Sequence, residues 1–131
     1  MKLKIPKIGI AICNSGASNT GTLTGLAAFD VVKKSGEESI GICSLSALVN
    51  KIPIQSMLVK KIERLIVIDG CHNECAKKIL DSLGIKYAGY LNLEYDLKIK
   101  KLGPFTMFKY SEEDVRHVSS AIREKIRELG L

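Results

Sequence analysis

Arg64–Cys75 reads RLIVIDGCHNEC, and the fold turns on how this stretch is read. Leu65-Ile66-Val67-Ile68 is a short run of branched apolar residues that stops at a turn signal, which predicts a buried strand. Asp69-Gly70 supplies the turn that ends it. The sequence after the turn has helical character, so Cys71 is placed at a strand tip and a helix mouth, with Cys75 one helical turn further on. The other two cysteines, Cys13 and Cys43, each follow an apolar strand-like run as well.

Working toward the N-terminus, Ser39–Cys43 (SIGIC) and Lys7–Cys13 (KIGIAIC) predict two more strands. Between them, Cys13 leads into a loop of small and hydrogen-bonding residues, Asn14–Gly21. A helix follows, with Leu23, Leu26, Ala27 and Val31 on one face, and ends at Gly36 after Lys33-Lys34. Leu45, Leu48 and Val49 predict a helical turn. Pro53 suits the first turn of a helix carrying Ile54, Met57, Leu58 and Ile62 on one face.

Toward the C-terminus, a helix carries Ala76, Ile79, Leu80 and Leu83 and is capped by Gly84. Ile85–Leu93 (IKYAGYLNL) predicts a fourth strand. Lys98–Leu102 reads as an irregular edge, and Gly103-Pro104 as a break. The last helix starts at an N-cap, Ser111, with Glu112, Glu113 and Asp114 in its first turn. Val115, Val118, Ile122, Ile126 and Leu129 form its apolar stripe, and Gly130 ends it.

Strands alternating with helices predict an α/β fold in which helices cover both faces of a parallel sheet. The expectation is one doubly wound, Rossmann- or flavodoxin-like domain over residues 1–131, with about four strands in the order 2-1-3-4. That order brings the carboxyl ends of the first three strands to the topological switch point, where such sheets bind ligands. All four thiols, Cys13, Cys43, Cys71 and Cys75, then fall at one edge.

Composition narrows the class. A chain of 131 residues can bury roughly 65% of its unfolded surface. Hydrophobic residues at 46% and charged residues at 26% describe a soluble globular chain, and the absence of Trp predicts an aliphatic core. No apolar run approaches the roughly 20 residues of a membrane helix, so no membrane partner is expected. The opening MKLKIPKIGIAIC mimics a signal peptide, but its apolar part is short and is interrupted by Pro6 and Lys7. It is read as the first strand of a mature cytoplasmic protein. The net charge is +6. Its lysines are dispersed, with Lys33-Lys34, Lys60-Lys61 and Lys77-Lys78 on helix exteriors and Lys98, Lys100 and Lys101 further on. Solvated surface explains them better than a nucleic-acid site.

Cysteines clustered in a chain without a secretory signal point to metal or redox chemistry before disulfides. Four converging thiols suit the tetrahedral shell of Zn²⁺, which binds thiolates. Helix N-termini after Cys13 and Cys71 are expected to favour thiolate and to offset the excess negative charge. C-x₃-C is a weaker local motif than C-x₂-C, so the case rests on convergence. An iron–sulfur cluster accepts the same ligands. A thiol redox or sulfur-handling enzyme with Cys71 or Cys13 as nucleophile is the main alternative, and inert core cysteines are the plainest one. Asp69 and His72 are candidates for a supporting shell around the ligands, although turn capping is the plainer role for Asp69. His117 is expected at the surface.

Ser15, Gly16, Ser18, Asn19 and Gly21 form a candidate ligand loop. A cysteine ending the first strand before such a loop resembles low-molecular-weight tyrosine phosphatases and arsenate reductases. Their motif is C-x₅-R, however, and Asn19 stands where the arginine would be. An anion-binding loop remains open, beside the plainer reading in which Ser18 or Asn19 caps the helix.

Cys13-Asn14-Ser15-Gly16-Ala17-Ser18-Asn19, then Cys43, then Ile68-Asp69-Gly70-Cys71 with Cys75 make the chain resemble the DGC-domain family over roughly residues 7 to 100. The resemblance implies that Cys13, Cys43, Cys71 and Cys75 are zinc ligands, and it implies no particular reaction. The expected function is zinc binding for metal carriage, sensing or sulfur-ligand chemistry. A structural metal module that binds a protein partner or a second copy is the further alternative.

Overall fold

A computed structural model of the chain describes residues 3–130. Its four strands are β1 (Ile8–Ile12), β2 (Ile40–Ile42), β3 (Arg64–Asp69) and β4 (Gly89–Asn92). They form one parallel sheet in the order β2-β1-β3-β4, as the sequence predicts. The helices are α1 (Asn19–Ser35), α2 (Leu45–Val49), α3 (Pro53–Lys61), α4 (Cys75–Ser82), α5 (Leu93–Leu97) and α6 (Glu112–Glu128). No helix among the described residues is long and apolar enough to cross a membrane.

The pleat divides the core into two layers. Ile8, Ile10 and Ile12 of β1 and Ile66 and Ile68 of β3 face one side. There they meet Leu23, Ala27 and Val31 of α1 and Val118 and Ile122 of α6. Ala11, Leu65 and Val67 face the other side, against Leu48 of α2, Val59 of α3 and Ala76 and Leu80 of α4. Burial on both faces explains why β1 and β3 read as continuous apolar runs and not as alternating ones.

Away from the carboxyl edge of the sheet, two segments depart from the sequence reading. The expected strand Ile85–Leu93 contracts to Gly89–Asn92. Its first residues are used in ending α4: Gly84 has φ +68°, the Ile85 N–H donates to the Leu80 carbonyl at 3.0 Å, and the Tyr87 hydroxyl donates to Asp81. The apolar face expected on α3 is mostly outside the core. Val59 is the buried residue, while Ile54 and Met57 are exposed. α3 lies over the thin edge of the sheet, where β2 has only three residues to pack against. The last helix matches its reading: Ser111 and Asp114 form a reciprocal capping box.

Candidate functional site

The register fixes what each strand delivers to the carboxyl edge. Ile12 pairs with Ile68, so Cys13 stands opposite Asp69, and Asp69 pairs with Asn92. Ile10 pairs with Ile42, so Cys43 stands opposite Ala11. Cys43 is therefore one strand over and two residues back from Cys13, a step of roughly 5 Å by 7 Å.

That offset splits the thiols. Cys13, Cys71 and Cys75 line one cavity of about 200 Å³, together with Ser15, Ser18, Thr20, Gly21, Asp69 and Lys101. Cys43 lines a neighbouring apolar groove between β2 and α3. No cysteine is in a disulfide. As the side chains stand, no three His, Cys, Asp or Glu groups among the described residues are close enough to hold an ion. The donor chemistry at the edge suits a soft metal, and the arrangement is open, not a closed shell.

The turn after β3 differs from the sequence reading. Cys71 is not on a helix: Gly70–Asn73 form bends and turns, Glu74 has φ +54°, and α4 begins at Cys75. Asp69 is the reason. Almost fully buried, its carboxylate leaps the turn and accepts from the N–H groups of Ala76 at 2.7 Å and Lys77 at 3.0 Å. It thereby satisfies the start of α4, which has no side-chain cap at the usual position. The Tyr90 hydroxyl donates to the same carboxylate at 3.0 Å, and burial holds the Tyr90 hydroxyl above its ordinary pKa. Capping occupies Asp69, in line with the plainer reading of that residue.

Asn92, fully buried, holds Cys71 from behind. Its amide donates to the Cys71 carbonyl at 2.9 Å and to the Tyr90 hydroxyl at 3.0 Å, while its oxygen caps α5 at Glu94 and Tyr95. His72 points elsewhere than the cavity. Its backbone N–H donates to Glu94 Oε1, and its Nδ1 lies 2.8 Å from the same oxygen. That hydrogen bond holds the Glu94 carboxyl below its usual range. His117 is exposed on α6.

Sequence reasoning missed Lys101 and Asn92. Lys101 Nζ lies 3.4 Å from Cys71 Sγ, a cation in the cavity wall. Nothing local in Lys98-Ile99-Lys100-Lys101 marks it, because Asn19 delivers it from a distance of 82 positions in sequence. The Asn19 amide donates to the Lys100 carbonyl at 2.9 Å and accepts from the Leu102 N–H at 2.9 Å. Asn92 carried a signal, an amide at the end of a strand opposite Asp69, but the strand boundary had first to be known.

The loop after β1 is a capped helix start. Ser18 Oγ accepts from the Gly21 N–H at 3.3 Å, and the Asn19 N–H donates to Thr106 Oγ1 at 3.1 Å. Ser18 and Thr20 are buried at the cavity wall. The N–H groups that favour thiolate are present at Cys13 but are outweighed there. Burial raises its thiol above the ordinary value, and the opposing N–H groups of Ser15 and Gly70 and the Thr24 hydroxyl do not reverse this. Burial alone pushes the Cys43 thiol up to about 11. Without a bound cation, both are neutral thiols at pH 7.

The family model of the DGC domain matches residues 9–122, nearly the whole chain. No significant match was found among curated proteins or among solved structures.

Proposed function

The chain belongs to the DGC domain family, and from that premise we propose that it binds Zn²⁺ through Cys13, Cys71 and Cys75, with Cys43 as an exchanging fourth ligand. The observation that carries the reading is the shared cavity. Cysteines from the end of β1, the turn after β3 and the first position of α4 all line it. A bound Zn²⁺ supplies a soft cation that holds thiolates in a tetrahedral shell.

The surrounding residues prepare for negative charge on sulfur. The N–H groups of Ser15 and Gly70 point at Cys13, and Lys101 stands against Cys71. Asp69 and His72 are engaged by α4 and Glu94, so the donor set is sulfur. Cys43, one rung back in an apolar groove, suits a ligand that joins and leaves. That pattern supports carriage or sensing over a permanently closed structural site. An iron–sulfur cluster is the alternative occupant.

Lys101 favours a second reading, a thiol enzyme in which Cys71 is the nucleophile. A cation beside a partly exposed cysteine is the usual setting of reactive thiols. One experiment separates the two. Protein purified without metal supplement is assayed for bound metals, and its thiols are titrated with and without chelator. Stoichiometric zinc that shields the cysteines until chelator is added supports the proposal. Absence of metal, with one cysteine alkylated far faster than the others and slowed by Lys101→Met, overturns it in favour of the thiol enzyme.

A further inference from the structure

Leu97–Ser111 reads LKIKKLGPFTMFKYS, with four lysines and no acidic residue. The segment is irregular, yet it is stapled to the body. Asn19 grips Lys100 and Leu102, the Phe105 N–H donates to the Ala17 carbonyl at 2.7 Å, and buried Thr106 bonds Gly103 and Asn19. Despite this anchoring, Phe105 is 95% exposed and Phe108 77% exposed, with Met107 and Leu102 partly exposed beside them. Phe105 also holds φ +61°, a conformation that L residues adopt at a cost. The loop is thus built to present its aromatic rings outward, and slackness does not explain their exposure. Lys98, Lys100 and Lys109 bracket the rings, and none makes an ion pair among the described residues.

We propose that this loop is a membrane-surface anchor, which inserts Phe105 and Phe108 at the interface of an anionic bilayer while Lys98, Lys100 and Lys109 meet the headgroups. A convex apolar tip needs a yielding partner more than a pocketed one, and the basic collar selects negative charge. The net charge of +6 acts in the same direction. The lack of a spanning segment, which led to the expectation of no membrane partner, does not bear on a loop that lies at the surface. Because Lys101 and Pro104 also line the cysteine cavity, docking brings that cavity close to the lipid.

The test is co-sedimentation of the full chain with vesicles of phosphatidylcholine alone or mixed with phosphatidylglycerol, at low and high salt. The expected result is binding to the mixed vesicles only, weakened by salt. Phe105→Asn with Phe108→Ser should abolish it; Asn tolerates the positive φ, and both sites are exposed, so the variant stays folded, as circular dichroism will check. Each of Lys98, Lys100 and Lys109 changed to Gln should weaken partitioning about fivefold. Four results overturn the proposal: no binding to either vesicle, equal binding to both, binding that survives loss of the two rings, or lipid-free dimerisation that the ring variant abolishes, which would make a second copy the occupant.

Discussion

Cys43 isolates the physics of a single residue most cleanly. Its thiol is raised from about 9 to about 11 because burial disfavours the thiolate. In metal-free protein the folded chain keeps this proton in a pH range where the unfolded chain releases it. The corresponding stability is therefore intact below about pH 9 and falls away as pH climbs toward about 11. The loss is of order 2–3 kcal/mol. Urea unfolding in chelator at about pH 8 and about pH 11 should show this drop in the native sequence and a clearly smaller one in Cys43→Ala; equal drops would show that the thiol does not titrate as placed. Asn92 makes the opposite case, a neutral residue whose value lies in its bonds. Its side chain joins Cys71, Tyr90, Glu94 and Tyr95. Asn92→Ala should cost about 2–3 kcal/mol. It should also raise hydrogen exchange in the Cys71 turn, and an unchanged exchange pattern would argue that Asn92 does not hold that turn.

At the scale of elements, the decisive contact is between the turn after β3 and the start of α1. A Cβ on Gly70 would lie 2.8 Å from the Thr20 carbonyl carbon and 2.9 Å from the Gly21 nitrogen, both backbone atoms that cannot swing aside. The Asp-Gly-Cys tripeptide is thus three separate solutions: Asp69 starts α4, Gly70 lets α1 approach, and Cys71 faces the cavity. Gly70→Ala should destabilise the fold by about 1–3 kcal/mol through overpacking. Thermal unfolding measures this, and an unaltered midpoint would mean that the two segments do not meet. These elements also show what the sequence could disclose. Branched runs followed by cysteines revealed β1, β2 and β3 with their order, and for β1 and β3 burial on both faces leaves a continuous apolar signature. The C-terminal end of α4 was legible at Gly84, but the start of β4 was hidden, because Ile85 and Tyr87 look strand-like while their bonds go to the helix behind them. The helical reading of Cys71 failed because a buried carboxylate two residues earlier reaches over the turn, and local periodicity holds no record of it.

For the whole molecule, one edge of the sheet concentrates what the chain can do. Cys13, Cys71 and Cys75 share a cavity, Lys101 closes its wall, and Cys43 waits one rung back because β2 delivers it two residues short of Cys13. Membership of all four cysteines in this edge was legible from strand ends alone. Their division between two cavities was not, since it depends on the pairing register. Lys101 was equally hidden, because a tertiary clasp by Asn19 positions it. The proposed role of these sulfurs is to bind zinc. X-ray absorption at the zinc edge, on protein loaded with one equivalent, tests it most directly. Three or four sulfur neighbours at about 2.3 Å are expected, falling by one in Cys71→Ser. A shell of nitrogen and oxygen, or a spectrum unchanged by Cys71→Ser, would contradict it.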